Sequence, residues 1–165
     1  MHAEAMGWVA RFATDDPISI LDLGGRDVNG SPRRLFPAAT YTVLDALPAI
    51  DVDIIADAAM WNPDGRRWDL ALMCEVCEHA PDWPAIIATA FKALWPSGRL
   101  IVTTAAPGRP PHSGIDGGPL RFGEYYANVD PAALREALEQ AGFTDITVDV
   151  QPSPADVRAV ATKPT

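Results

Sequence analysis

The sequence predicts an α/β fold built on a mostly parallel sheet. Short apolar runs alternate with segments of helical periodicity, the pattern of strand–helix–strand units. Four of the five clearest runs stay apolar until an acid or a thiol ends them, which would set Asp22, Asp45, Asp57 and the pair Cys74–Glu75 along one rim. Open α/β sheets hold their ligands at the carboxyl ends of the strands.

The elements follow in order. Residues 1–15 read as a short N-terminal helix. "ISILDL" (18–23), "YTVLD" (41–45), "VDIIAD" (52–57), "DLALMC" (69–74) and "RLIVTTA" (99–105) read as buried strands. Asp82 is placed to cap a helix over 83–95, with Ile87, Ala90, Phe91 and Leu94 on one apolar face and Pro96 and Gly98 stopping it. Asp130 and Pro131 open another helix, with proline at the first helical position, where its missing N–H costs nothing. Leu134, Ala137, Leu138 and Ala141 give that helix its inner face, and Gly142 ends it. "TDITVDV" and "VRAVATK", joined by "QPSPAD", alternate as a closing antiparallel pair. The Pro- and Gly-rich stretch 106–123 has the length and composition of a lid or binding loop.

The bulk properties exclude several classes. A chain of 165 residues suggests a single domain, 1–165, able to bury roughly 70% of its unfolded surface. Its hydrophobic fraction of 48% suits a globular protein. No apolar run approaches the ~20 residues that span a bilayer, and the N-terminus lacks the basic start and apolar block of a secretory signal. A cytoplasmic protein without membrane contact is expected. The net charge of −9 and pI near 4.6 disfavour direct nucleic-acid binding, which needs clustered Lys and Arg. The two cysteines, Cys74 and Cys77, give no disulfide framework.

"ILDLGGRDVNG" (20–30) carries the first functional signal. Gly25 and Gly30 have the spacing of an NTPase phosphate loop, but Ser31 and Pro32 stand where Lys and Ser or Thr are needed. Arg26 replaces the second glycine of a dinucleotide loop and would crowd a pyrophosphate. S-adenosylmethionine (SAM) has no phosphate, so one or two glycines suffice for it. A carboxylate at Asp45 can accept both hydroxyls of a ribose, and Asp57 is placed to receive an adenine amino group.

"CEVCEH" (74–79) invites two other readings. As a redox pair its thiols are weakened by the adjoining Glu75 and Glu78, since nearby negative charge raises a thiol pKa. As half a zinc site, with His79, it lacks a second spaced pair; His2 and His112 are isolated in the sequence. No metal is expected.

With these residues in hand, the chain resembles the class I SAM-dependent methyltransferases, especially the small type-11 group. "ILDLGG", "TVLD" and "IIADA" are similar to its first three strand motifs, and "WDLALMCEVCEHAPDW" to its fourth-strand segment. "ALWPSGRLIVTT" and "VDPAALREALEQAGF" resemble its fifth-strand entry and late helix. The resemblance implies a Rossmann-like seven-stranded sheet with helices on both faces and its last strand antiparallel. It implies SAM as cofactor. Asp22, Gly24 and Gly25 would contact the methionine part, Asp45 the ribose, Asp57 and Ala58 the adenine, and Cys74 and Glu75 would lie near the sulfonium.

One departure stands out. The group reads Asp-Leu-Gly-Cys-Gly-x-Gly where this chain has Gly-Gly-Arg-Asp-Val-Asn-Gly, and Arg26 could point outward, pair with the SAM carboxylate or block the pocket. A non-catalytic binding or scaffold protein on a degenerate methyltransferase fold is the alternative reading. Methyl transfer asks mainly for alignment, worth about 7–11 kcal/mol. A general base helps where the acceptor must lose a proton, and His79, His112 and Tyr125 or Tyr126 are the candidates. No Asn-Pro-Pro-Tyr or Pro-Cys stretch points to base methylation, and no sizeable cap domain is present. The acceptor is left open: a small molecule, a glycan or a protein, with a homodimer as one way to complete the pocket.

Overall fold

The computed structural model describes residues 1–165. One sheet holds seven strands: β1 (Ser19–Leu23), β2 (Thr40–Asp45), β3 (Ile54–Ile55), β4 (Trp68–Cys74), β5 (Leu94–Ala105), β6 (Thr144–Gln151) and β7 (Asp156–Thr162). Their order across the sheet is β3-β2-β1-β4-β5-β7-β6. The first five strands pair in parallel, and β7 runs antiparallel to both its neighbours, β5 and β6. From β1 the chain builds outward through β2 and β3, then returns to build the other way from β4. The strand order therefore reverses between β1 and β4, where a crevice opens beyond their carboxyl ends.

The central strands are predominantly apolar because both faces are covered. On one face, Ile20, Leu70, Leu72 and Ile101 pack against Trp8 and Val9 of helix α1 (Ala3–Val9) and against Phe36. On the other, Leu21, Leu23, Ala71, Met73 and Val102 meet helices α2 (Trp83–Ala93) and α3 (Pro131–Ala141). The switch of face at each successive residue is the period of two that a strand imposes. The predicted fold class holds. No helix of the chain is long and apolar enough to cross a membrane.

Local boundaries differ where a side chain competes with the backbone. β3 spans two residues instead of six. Beside it the Asp53 carboxylate accepts the Val43 N–H at 2.8 Å, taking a donor that a ladder carbonyl would otherwise use. α2 ends at Ala93, because Leu94 is already extended and pairs with Trp68. Lys163 Nζ donates to the carbonyls of Phe91 and Leu94, both at 2.8 Å, and so satisfies that helix end with a cation. Asp82 makes no side-chain cap; its ψ of 29° is not the extended geometry that aims an oxygen at the first turn. α3 matches its reading. Asp130 accepts from the N–H groups of Ala132 and Ala133 at 2.8 and 3.2 Å, and Gly142 closes the helix at φ 100°.

Between β1 and β2 the chain forms no α-helix, only a 3₁₀ turn at Pro32–Leu35. The glycine turn thus lacks the helix N-terminus on which a dinucleotide loop seats a pyrophosphate.

Candidate active site

The floor of the crevice is set by Gly24, on a turn that Gly25 tightens from behind. A Cβ on Gly24, which sits at φ 74°, would lie 2.5 Å from Val76 Cγ2, and a Cβ on Gly25 would collide with the Asp22 carboxyl group. The turn is folded tightly back on the strand end, and the Gly24 N–H donates to the Leu44 carbonyl at 2.7 Å. Asp22 is buried beneath it and accepts the Tyr41 hydroxyl at 2.6 Å. Burial pushes its carboxyl up to about 6, against the opposing pull of the Tyr41 hydrogen bond.

Above this floor lies a cavity of about 370 Å³, within the size range of small-molecule sites. Asp45 ends β2 at its wall. Its Oδ1 accepts the Leu47 N–H at 2.9 Å and its Oδ2 the Arg26 N–H at 3.3 Å. The Arg26 side chain turns inward along the wall. Its Nε lies 3.8 Å from Asp45 Oδ1 and is buried without a hydrogen-bond partner. Its Nη2 donates to the carbonyls of Gly114 and Ile115, at 3.1 and 3.2 Å, in the loop that roofs the cavity. Asp57 and Ala58 border the same space, with the Asp57 carboxylate accepting the Ala59 N–H at 2.9 Å.

The end of β4 supplies Cys74 and Glu75. Burial pushes both the Cys74 and Cys77 thiols upward, so neither supplies a thiolate for redox or nucleophilic chemistry. Glu75 takes the left-handed conformation at φ 59° and accepts the Thr103 hydroxyl at 3.1 Å. Its other oxygen lies 3.4 Å from Arg109 Nη2.

The outer side of the cavity is lined by aromatic rings. His79, on a 3₁₀ turn (Cys77–His79), meets His112 of the roof edge-on at 4.9 Å between ring centroids. Tyr126 packs behind both, at 5.5 and 5.1 Å. Burial, then the neighbouring His112, pushes His79 down to about 4, so its imidazole is neutral at physiological pH. A neutral imidazole offers a lone pair to a proton or to a metal ion.

A family model described as a methyltransferase domain matches residues 1–148. The chain belongs to the methyltransferase-domain family. Its fold is that of solved SAM-dependent methyltransferases. The Burkholderia thailandensis 1,6-didemethyltoxoflavin-N1-methyltransferase, solved with 1,6-didemethyltoxoflavin and S-adenosylhomocysteine, is 19% identical at a TM-score of 0.73. There 98% of this chain covers 79% of that one. The Haemonchus contortus phosphoethanolamine N-methyltransferase 2, in complex with SAM, is 13% identical at a TM-score of 0.74. In that match 98% of this chain spans 52% of the other, about half its length. The N-methyltransferase NodS from Bradyrhizobium japonicum, in complex with S-adenosylhomocysteine, is 15% identical at 0.68, covering 98% and 87%. No curated protein matches in sequence.

In this methyltransferase the cavity brings together Gly24, Arg26, Asp45, Asp57, Ala58, Cys74 and Glu75 on one side, and His79, His112 and Tyr125 on the other. Asp22 and Gly25 do not line it; they hold the turn from behind. The histidines that look isolated in the sequence are not isolated in space. His112 meets His79, and His2 Nε2 lies 3.1 Å from Asp156 Oδ2 and 3.5 Å from Glu75 Oε2. Asn29 and Ser113 also line the cavity. Sequence reasoning missed both, because loop residues show no periodicity that reveals where they point.

Proposed function

We propose that this methyltransferase takes SAM as methyl donor and methylates a small molecule admitted beneath the 106–123 loop. The observation that carries the reading is a preformed cavity at the strand-order reversal, walled by the Asp45 carboxylate and floored by Gly24. Solved enzymes of the same fold that bind SAM or S-adenosylhomocysteine support it. Bound SAM would supply an electrophilic methyl group on a positively charged sulfonium: the acceptor nucleophile bonds to the methyl carbon as the C–S bond breaks, and the sulfur leaves as the neutral thioether of S-adenosylhomocysteine.

The chain's own groups fit that donor. Asp45, pinned by the Leu47 and Arg26 N–H groups, keeps lone pairs for two ribose hydroxyls. Asp57 and Ala58, which line the cavity, would border the adenine, and Cys74 and Glu75 the reacting end. Gly24 leaves room where a side chain would strike Val76. Arg26 supports a working site over a degenerate one, since its guanidinium bonds the roof and leaves the cavity in place. His79, His112 and Tyr125 are the acceptor-side groups that orient the nucleophile, and an imidazole nitrogen of His79 or His112 receives its proton. The segment at residues 74–79 favours the small type-11 group, and the lack of a membrane-crossing helix agrees with action in the cytoplasm.

Amide-resolved NMR titration with S-adenosylhomocysteine tests this. Shifts are expected at Gly24, Arg26, Asp45–Leu47 and Ala58. Shifts confined to other surfaces, or none at millimolar ligand, would overturn it.

A further inference from the structure

Two clusters bring three potential metal-ligating side chains together: Glu78, His79 and His112, and His2, Glu75 and Asp156. In each the ligand atoms lie within 4.8 Å of one another. The second already holds cations. Arg109 pairs with both Asp156 and Glu75, and Arg158 Nη2 lies 3.5 Å from Asp156 Oδ2. The first holds none. Glu78 is fully buried, and its oxygens take only neutral donors, the Thr104 hydroxyl at 2.8 Å and the Ala105 N–H at 3.2 Å. A buried carboxylate without a cation is costly. Beside it the Nδ1 of His79 is buried and has no hydrogen-bond partner.

We propose that Glu78, His79 and His112 form a divalent-metal site that takes zinc or a similar borderline ion. Two imidazoles and one carboxylate are the ligand set of open catalytic zinc sites, which keep a further position free. His79 and His112 both line the cavity, so that position faces the acceptor side and suits an acceptor oxygen or nitrogen. Thr104 and Ala105 hold the carboxylate from behind, as outer-shell partners do. Metal–ligand bonds near 2.0–2.1 Å need ligand atoms about 3.4 Å apart in a tetrahedral site. His112 belongs to the roof, so closing that distance is a movement of the loop, and the ion would tie the roof to the β4 rim. The ion and a proton compete for the same imidazole lone pairs. Cys74 and Cys77, the ligands suggested by their C-x-x-C spacing, take no part. The site rests on the methyltransferase reading only for its role beside the acceptor.

Cobalt(II) titration of the chelator-treated 165-residue chain tests the site without methyl transfer. A saturating visible d–d band at about one equivalent, displaced by zinc, is expected. His112→Ala and Glu78→Gln should weaken cobalt binding by more than about 100-fold, and His2→Ala should leave it unchanged. His112 lies on the roof loop, so a thermal melt of His112→Ala matching wild type separates lost ligation from lost fold. Absence of the band, its persistence in His112→Ala, or its loss in His2→Ala would overturn the proposal. S-adenosylhomocysteine binding by the metal-free protein, measured alongside, tells failure of this site from failure of the methyltransferase reading.

Discussion

Arg26 Nη2 donates to the Gly114 carbonyl at 3.1 Å, which joins the glycine turn after β1 to the loop that roofs the cavity. The residue that breaks the glycine pattern in sequence is therefore a latch in the structure. A hydrogen bond from a charged donor is worth about 1.5–3 kcal/mol. Arg26→Ala is expected to raise hydrogen exchange in residues 113–118 about tenfold and to speed S-adenosylhomocysteine release. Unchanged exchange would show that the latch does not hold the roof.

Asp45 is the carboxylate proposed to hold the ribose. Asp45→Ala removes a charge-assisted pair of hydrogen bonds, each about 1.5–3 kcal/mol. Affinity for S-adenosylhomocysteine should fall at least tenfold while thermal stability changes little. Titration of both proteins side by side reads the difference.

Asp22 gives a stability effect with a defined sign. Its carboxyl is held near 6 in the folded protein, against about 3.9 when unfolded. Between these values the folded state keeps a proton that the unfolded state has released. The stability this provides is complete below pH ~4 and is lost as pH rises to ~6. The loss is on the order of 2–3 kcal/mol. Urea denaturation should show wild type losing stability against Asp22→Asn across that window, and a constant difference above pH 7.

Asp130 caps α3 through two N–H groups. Asp130→Ala should cost about 1 kcal/mol. For a chain of this size that lowers Tm by about 2–4 °C, read by circular dichroism.

Much of the fold is legible in the sequence. β1 and β4 are central parallel strands, and burial on both faces makes them largely apolar runs. α3 was legible because Asp130, Pro131 and Gly142 mark both ends chemically. The stretch after the glycine turn, with Gly30 and Pro32 and no apolar period, gives a 3₁₀ turn in place of a helix. β3 shortened because Asp53, a polar residue in an apolar run, uses its side chain as a ladder acceptor.

The site was legible in part, for the same physical reasons. Acids that end strands mark a rim, and Asp45 and Asp57 line the cavity. Asp22 carries the same signal but is buried against Tyr41, a contact that depends on the pairing of β1 with β2. The meeting of His79 with His112 depends on how an aperiodic loop folds over the sheet, which no local pattern encodes.

Isothermal titration calorimetry of wild type and Asp45→Ala with S-adenosylhomocysteine tests the central claim most directly. Wild type is expected to bind one-to-one with micromolar affinity, and the variant at least tenfold more weakly. No binding by wild type at millimolar ligand, or equal binding by both proteins, would contradict it.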